Sequence, residues 1–391
     1  MQTTATAWLA LDSAGGAFAV GLVLAARMLP NLLFGLAAGT LADRAHRGRQ
    51  LVAVGLAAIP IMLALSWLAA SGNVRVWQLV ALSFATGCLT VFDSPARQAL
   101  VMDTVPREAA ANAMGLNALA GRLCTALGAL AAGWLIPVAG VASCYMAVAL
   151  AYAVAAGLVV FVRPAGSPAG RGVGELPPFG RALSEAARLV FDVAAVRTLI
   201  VASVACEIFG FSFLTAVPAF ARDVLDAGPE GLGTLNAATS LGGSLAVIAL
   251  SLVPGRVRRE PLLSLVFVLY GASFLALAAA RELGVAAAVL LVTGACAASF
   301  DLLQQTLIQL AVPEEQRGRA VGVWVLGIGS APLGHLEMGG LVTSFGAPLA
   351  LSTNGCLVLA AAATLLARSP AYRPSMESRT LRSRRSTWKS G

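Results

Sequence analysis

The sequence predicts an all-α integral membrane protein built from two parallel six-helix halves, with the first helix truncated at its N-terminus. Three observations predict it. Only 12% of the 391 residues are charged and 58% are hydrophobic, with a mean hydropathy of +0.81. A soluble domain carries about 25% charged residues, so water cannot be the solvent around most of this surface. The apolar residues gather into blocks, most of them near the roughly 20 residues that cross a bilayer. Finally, one span–loop–span block recurs later in the chain in the same orientation.

The elements follow in order. A stub covers residues 1–11, and longer segments cover 17–41, 51–71, 77–101, 111–137 and 141–162. A second series covers 197–220, 231–253, 262–280, 285–311, 319–344 and 347–367. The stub, Met1-Gln-Thr-Thr-Ala-Thr-Ala-Trp-Leu-Ala-Leu11, lacks the basic start of a secretory leader. With about 11 residues before Asp12 it is half a span, and the expectation is a native start upstream of Met1. Prolines 30, 60, 95, 218 and 332 fall inside segments, where neighbouring helices re-satisfy the freed backbone groups.

The stretch 163–196 is a polar linker that opens with Pro/Gly/Ser-rich chain. Within 179–192, Leu183, Ala187 and Val190 share a helical face away from Arg181, Glu185 and Arg188, which predicts a short amphipathic helix at the membrane surface. The Ser/Arg-rich tail 368–391 is expected to be disordered. The domains are therefore a first transmembrane half at 1–162, the linker at 163–196, a second half at 197–367 and the tail.

Charge placement sets the orientation. The loops at 42–50, 97–110, 163–197, 254–261 and 312–319, together with the tail, hold 22 of the 27 basic residues, and the opposite loops hold only Arg75, Arg222 and Arg281. Under the positive-inside rule this puts both chain ends in the cytoplasm of a bacterial inner membrane. The net charge of +8 then belongs to lipid headgroups and orientation, and no nucleic-acid partner is expected. The six cysteines, at 88, 124, 144, 206, 296 and 356, lie in apolar segments without a CxxC pair and read as small buried hydrophobes.

The repeat sets Val91-Phe-Asp-Ser-Pro-Ala-Arg-Gln-Ala-Leu100 against Ser299-Phe-Asp-Leu-Leu-Gln-Gln-Thr-Leu307. After the following Val-Pro the offset holds at 207 residues, pairing Gly115 with Gly322 and Gly133 with Gly340. Two parallel halves joined by a linker are a known plan of secondary transporters.

At the end of the second segment stands Gly39-Thr-Leu-Ala-Asp43-Arg44-Ala-His-Arg47-Gly-Arg49. A glycine permits close helix approach, and an acid follows it in a basic turn. The pattern resembles the signature loop of the major facilitator superfamily. Phe92-Asp-Ser-Pro-Ala-Arg-Gln-Ala99, Arg317-Gly-Arg-Ala-Val-Gly322 and Pro332-Leu-Gly-His-Leu-Glu-Met-Gly-Gly340 resemble the branch that contains the enterobactin exporter and related efflux proteins. The resemblance covers essentially the whole chain. It implies twelve helices, alternating access and coupling to the proton gradient, with Gly39, Asp43, Arg44 and Arg47 forming a conformational-switch loop. The chain departs from many proton-coupled relatives in two places. Ser83-Phe-Ala-Thr-Gly87 lacks an arginine at the start of the fourth helix, and the fifth helix has Gly115, Gly121, Gly128 and Gly133 but no Gly-Pro pair.

Segments 3, 6, 9 and 12 contain no ionisable Asp, Glu, Arg, Lys or His, as suits the lipid-facing support of such a fold. Arg27, Arg122 and Glu207 lie 10 or 11 residues into their segments, roughly 15 Å deep at 1.5 Å per residue. Glu207 reads as the lone acid at that depth, open to pairing with Arg122 or Arg27, and all three are candidate coupling or substrate residues. Asp93 and Asp301 occupy matching places in the cytoplasmic third of segments 4 and 10. They read as caps of a helix break partnered by loop arginines, or alternatively as gate or proton sites. His335 and Glu337, in the outer third of segment 11, pair structurally or meet substrate.

No Gly-x-x-x-x-Gly-Lys-Ser/Thr loop occurs, and Lys389 is the single lysine. No HExxH, GxSxG or paired Cys/His site occurs either, so neither enzyme, cofactor nor metal is expected. The expected function is gradient-driven export of a small amphiphilic molecule (a siderophore, drug or metabolite) by a monomer whose partners are substrate, protons and lipid. An importer of the same fold and a non-transporting receptor or scaffold are the alternatives.

Overall fold

The computed structural model describes residues 1–13, 15–44, 46–162, 190–252, 258–313 and 327–367, with isolated positions 316, 322 and 324; side chains at 13, 36–44, 107 and 111 are outside the description. The linker helix expected at 179–192 lies outside the described residues except for its last turn, and the tail lies wholly outside them.

The elements are helices throughout. The first half holds α1 (Gln2–Ser13), α2 (Ala17–Arg44), α3 (Arg47–Ser71), α4 (Val76–Thr104) and α5 (Ala110–Val160). At 51 residues, α5 would be about 75 Å long if straight, more than twice a hydrocarbon core. It doubles back at Gly140 (φ 78°, ψ 166°), a conformation open essentially to glycine alone, and so supplies the fifth and sixth spans. The second half holds α6 (Ala194–Ala205), a π-turn (Cys206–Gly210) and α7 (Phe213–Asp223), which together make the seventh span. It continues with α8 (Gly228–Leu252), α9 (Arg259–Ala279), α10 (Leu283–Leu310), α11 (Ala331–Phe345) and α12 (Ala347–Ala367). The bend between α11 and α12 uses Gly346 at φ 82°, ψ 159°, the backbone conformation of Gly140 in the matching place of the other half. The two halves thus turn between their last two spans by the same device, one residue off the 207-residue register of the repeat.

The predicted segments fall on these helices, the eleventh only over its described part from residue 327 on, and among the described residues nine stretches are long and apolar enough to cross a membrane, the seventh span from α6 to α7 counting as one. The protein is a multi-pass membrane protein. Two local expectations fail. Pro95 does not break α4, which continues to Thr104, and Pro332 sits in the first turn of α11, where its missing N–H costs nothing. Of the cysteines, Cys144, Cys206 and Cys296 are buried as expected, but Cys124 and Cys356 are exposed on outward helix faces.

Glycines set the packing. In the lipid-facing layer, α3 lies against the second arm of α5 with the Ala156 methyl 3.2 Å from where a Gly55 Cβ would stand. Likewise α9 meets α12 where Gly271 and Gly355 face each other across about 3 Å. The two halves meet at the ends of their helices remote from the arginine-rich loops. There the Gly133 Cα lies 2.8 Å from a Gly233 Cβ, and Gly339 of α11 faces Ala17, Phe18 and Gly21 of α2 at 3.2–3.3 Å. Two side-chain links add to this seam: Arg222 Nη1 donates to the Leu11 carbonyl at 3.3 Å, and Asn236 Nδ2 donates to Thr4 Oγ1 at 3.4 Å. Toward the arginine-rich side, Gly115 and Gly121 of α5 face open space. Among the described residues these close contacts between the halves gather at the end remote from the arginine-rich loops.

Candidate functional site

The seventh span is where the helical ladder changes. Phe211 N–H donates to the Cys206 carbonyl at 2.8 Å, an i→i+5 bond that widens the turn. Gly210 permits it, because the Tyr270 ring and the Cys206 sulfur stand 2.8 and 3.0 Å from where a Cβ would be. Tyr270, Phe211, Phe213 and Phe274 stack edge-on or tilted behind this turn and hold it from the core side.

Glu207 lies in the π-turn, 9% exposed, with no hydrogen bond or ion pair among the described residues. It is not alone. Asp301 of α10 is close enough for the two charges to act on each other, and Arg122 of α5 acts on Asp301 in turn. Arg122 crosses the seam to reach there, its Nη1 lying over Gly243 of α8, whose missing side chain makes the room. The charge of Asp301 is thus felt by Glu207 within the second half, and that of Arg122 from the first half by Asp301, with Arg122 not within 4 Å of either acid. The structure does not pair Glu207 with Arg27 or Arg122, since neither is within 4 Å of it.

Arg27 is placed elsewhere. Its Nη1 donates to Thr3 Oγ1 at 3.0 Å, and its carbonyl abuts Gly87 of α4. Together with Asp93 and Arg97 its charge acts on Tyr152 in the second arm of α5. Asp93 pairs with Arg97, one turn on, at 3.3 Å. The expected equivalence of Asp93 and Asp301 therefore holds for position and fails for partners.

The short α1 contributes more than its apolar stretch indicated. Gln2 Nε2 donates to Thr86 Oγ1 at 3.3 Å, Tyr145 Oη donates to Thr6 Oγ1 at 3.0 Å, and Thr3 and Thr4 meet Arg27 and Asn236. Three of these four polar residues tie α1 to the first half, and Thr4 links it across the seam to the second. Sequence reasoning passed over them, although the run Gln2-Thr-Thr-Ala-Thr6 at the edge of an apolar stub was the available signal.

His335 and Glu337 do not pair with each other. His335 Nδ1 is 2.9 Å from Thr215 Oγ1, while Glu337 Oε2 accepts from Asn354 Nδ2 at 3.2 Å. In the signature loop, Gly39, Asp43 and Arg44 lie outside the residues whose side chains are described. Arg47 is described: it is ion-paired to Asp103 and donates to the Ala99 carbonyl at 3.2 Å, which ties the loop to the end of α4. Among the described residues no group of His, Cys, Asp and Glu could hold a metal ion.

Two six-helix repeats that meet along a glycine-lined seam are the architecture of a membrane transporter. The chain belongs to the major facilitator superfamily, in the family described as transmembrane secretion effector, which matches residues 1–390. It is 23% identical over 361 residues to the staphyloferrin A transporter of Staphylococcus aureus (strain NCTC 8325 / PS 47), covering 89% of this chain and 87% of that one. Among solved structures it resembles the nucleoside transporter NupG, with a TM-score of 0.74, 11% identity and 93% and 94% of the two chains covered. It also resembles the xylose transporter XylE from E. coli in an inward-open conformation, with a TM-score of 0.69, 14% identity and 93% and 92% covered. At such identities the two structures speak for the fold.

Proposed function

We propose that the protein is a secondary active exporter of the bacterial cytoplasmic membrane. It moves a small amphiphilic molecule outward by alternating access and exchanges it for protons. The observation that carries this reading is the charge set Arg122, Glu207 and Asp301, split between the halves at their seam. The charges of the two acids act on each other, and an arginine held by the opposite half moves relative to them when the halves rock. Proton binding and cavity orientation are then one event. Arg27 and the polar residues of α1, of which Thr4 bonds across the seam to Asn236, are assigned to substrate contact, with Asp93 toward the inner end. The 22-to-3 distribution of basic residues supports the cavity's open end being cytoplasmic, with both chain ends on that side. A siderophore heads the substrate classes because of the staphyloferrin A transporter relative.

The test is uptake of labelled staphyloferrin A into inverted membrane vesicles under an imposed pH gradient. Glu207→Gln should abolish gradient-driven uptake, and Glu207→Asp should retain part of it. Wild-type uptake by Glu207→Gln with unchanged dependence on the gradient would reduce Glu207 to a structural residue.

A further inference from the structure

A groove lies on the lipid-facing side of the first half, between α2 and α4 and away from the charge set above. Its volume is about 720 Å³, and Leu22, Ala26 and Leu29 of α2 with Trp77, Ala81 and Phe84 of α4 form its walls. On α4 the buried Leu79, Ser83 and Thr86 face the core, and Trp77 and Ala81 stand exposed on the opposite side. The two helices touch at both ends of the groove. Toward the loop between α3 and α4, Val76 Cγ2 is 3.8 Å from where a Gly15 Cβ would stand. Toward mid-membrane, Gly87 lies on the Arg27 carbonyl, with Pro30 Cγ 3.0 Å from its Cβ position. Between these contacts Ala26 and Ala81 bring only methyls, which leave the gap unfilled. From Val76 to Gly87 α4 rises about 16 Å, close to the roughly 15 Å of hydrocarbon in one leaflet.

The mouth of the groove carries an uncommitted charge. Three arginines stand on the membrane face remote from the arginine-rich loops: Arg75, Arg222 and Arg281. Arg222 pairs with Asp223 at 2.6 Å, and Arg281 Nη1 donates to the Ala278 and Ala280 carbonyls at 2.9 Å. Arg75 is exposed, and among the described residues its guanidinium has neither a hydrogen bond nor a carboxylate within 4 Å. Its backbone is fixed, since its N–H donates to Gln78 Oε1 at 2.9 Å. An arginine side chain extends to headgroup level and holds phosphate oxygens through two parallel N–H bonds. Trp77, two residues on and 63% exposed, has the amphipathic ring that settles at the same level. A cation at headgroup level over an apolar slot one leaflet deep matches a lipid with a negative head and an extended chain. A second copy of this protein matches it less well, because a two-fold axis along the membrane normal would set its Arg75 against this one.

We propose that the groove between α2 and α4 holds one acyl chain of an anionic phospholipid whose phosphate pairs with Arg75. The site does not rest on the proton-exchange reading. The test places the purified full-length chain in phosphatidylethanolamine vesicles containing a small, fixed fraction of lipid brominated on its chains, either phosphatidylglycerol or phosphatidylethanolamine. Bromine quenches nearby indoles, and the emission of Trp77 is the difference between wild type and Trp77→Phe. Brominated phosphatidylglycerol should quench Trp77 about fivefold more strongly than brominated phosphatidylethanolamine, the preference that one basic residue gives at a membrane surface. Trp134, 65% exposed near the same membrane face and isolated in the same way, should respond to the two lipids alike. Arg75→Gln should erase the preference at Trp77, and Arg281→Gln should leave it. Ala81→Phe, which fills the groove from an exposed position, should weaken quenching of Trp77 by both lipids. Equal quenching by the two lipids in wild type, a preference that survives Arg75→Gln, an equal preference at Trp134 or undiminished quenching in Ala81→Phe overturns the proposal. So does a Trp77 that neither lipid reaches, as a second copy seated in the groove would leave it.

Discussion

The seam between α5 and α8 makes a quantitative prediction about the conformational equilibrium. A Cβ on Gly233 would lie 2.7 Å from the Ala129 carbonyl oxygen, 2.8 Å from the Gly133 Cα and 3.1 Å from the Gly133 nitrogen. All three are backbone atoms of a helix, so no side chain can swing away to make room. Gly233→Ala therefore forces the outer ends of the two helices apart. Overpacking of this kind costs about 1–3 kcal/mol. The same change raises helix propensity by about 1 kcal/mol, but it does so in every conformer, so it cancels from the equilibrium between them. The net effect is a shift of about 5- to 150-fold toward conformers whose outer seam is open. Spin labels at positions 115 and 322, matched residues near the arginine-rich ends of α5 and the eleventh span, report the other end of the rocking motion. In wild type the long-distance population should dominate, and in Gly233→Ala the short one should grow by that factor. Gly271→Ala is the control. It crowds the α9–α12 contact, with Leu359 Cγ at 2.8 Å and the Gly355 carbonyl at 3.0 Å, but it lies within one half. It should lower the melting temperature and leave the distance distribution alone. An unchanged distribution in Gly233→Ala, or an equal change in Gly271→Ala, would refute the reasoning.

Two further outcomes are expected. Asp43→Asn, at the rim of the switch loop, should lower the maximal transport rate by about tenfold while leaving substrate affinity within about twofold, as fits a residue that biases the switch rather than binds substrate; a loss of affinity at normal rate in concentration-dependent uptake would contradict this. Tyr145→Phe removes the buried hydroxyl that donates to Thr6 Oγ1 and should cost about 1 kcal/mol, read as a fall of a few degrees in the melting temperature of the purified protein, with a melting curve identical to wild type as the contrary result.

The fold was legible because bilayer thickness and the internal repeat each constrain it independently. The split of 111–162 at residues 138–140 needed only the length limit, and Gly140 with its counterpart Gly346 supplies the bend. The mid-depth charges were also legible, since any ionisable residue in an apolar block stands out. Their partners were not. Depth along a helix says nothing about rotation around it, and Glu207 sits in a π-turn that rotates everything after it by an extra fraction of a turn. No periodicity argument built on 3.6 residues registers that displacement. The neighbourhood of Asp301 was lost for this reason. Gln2, Thr3, Thr4 and Thr6 were lost for another: small hydroxyls and amides barely alter an apolar window, yet each takes a polar partner on another helix, Thr4 across the seam on Asn236 and the other three within the first half.

The two copies of the repeat show how a symmetric scaffold acquires an asymmetric site. Asp93 and Asp301 occupy the same helical position with the same preceding phenylalanine. Four residues on, the first copy has Arg97 and the second has Gln305. On a helix that spacing is one turn, so Arg97 folds back and neutralises Asp93 locally. Gln305 carries no charge to do the same for Asp301. The charges that couple to Asp301 come from off its own helix, Glu207 within its half and Arg122 across the seam. A charge satisfied within its own helix is indifferent to how the halves are tilted. One satisfied across the seam changes its environment whenever they rock. Without a local partner, Asp301 is the aspartate of the pair whose electrostatic surroundings draw on both halves.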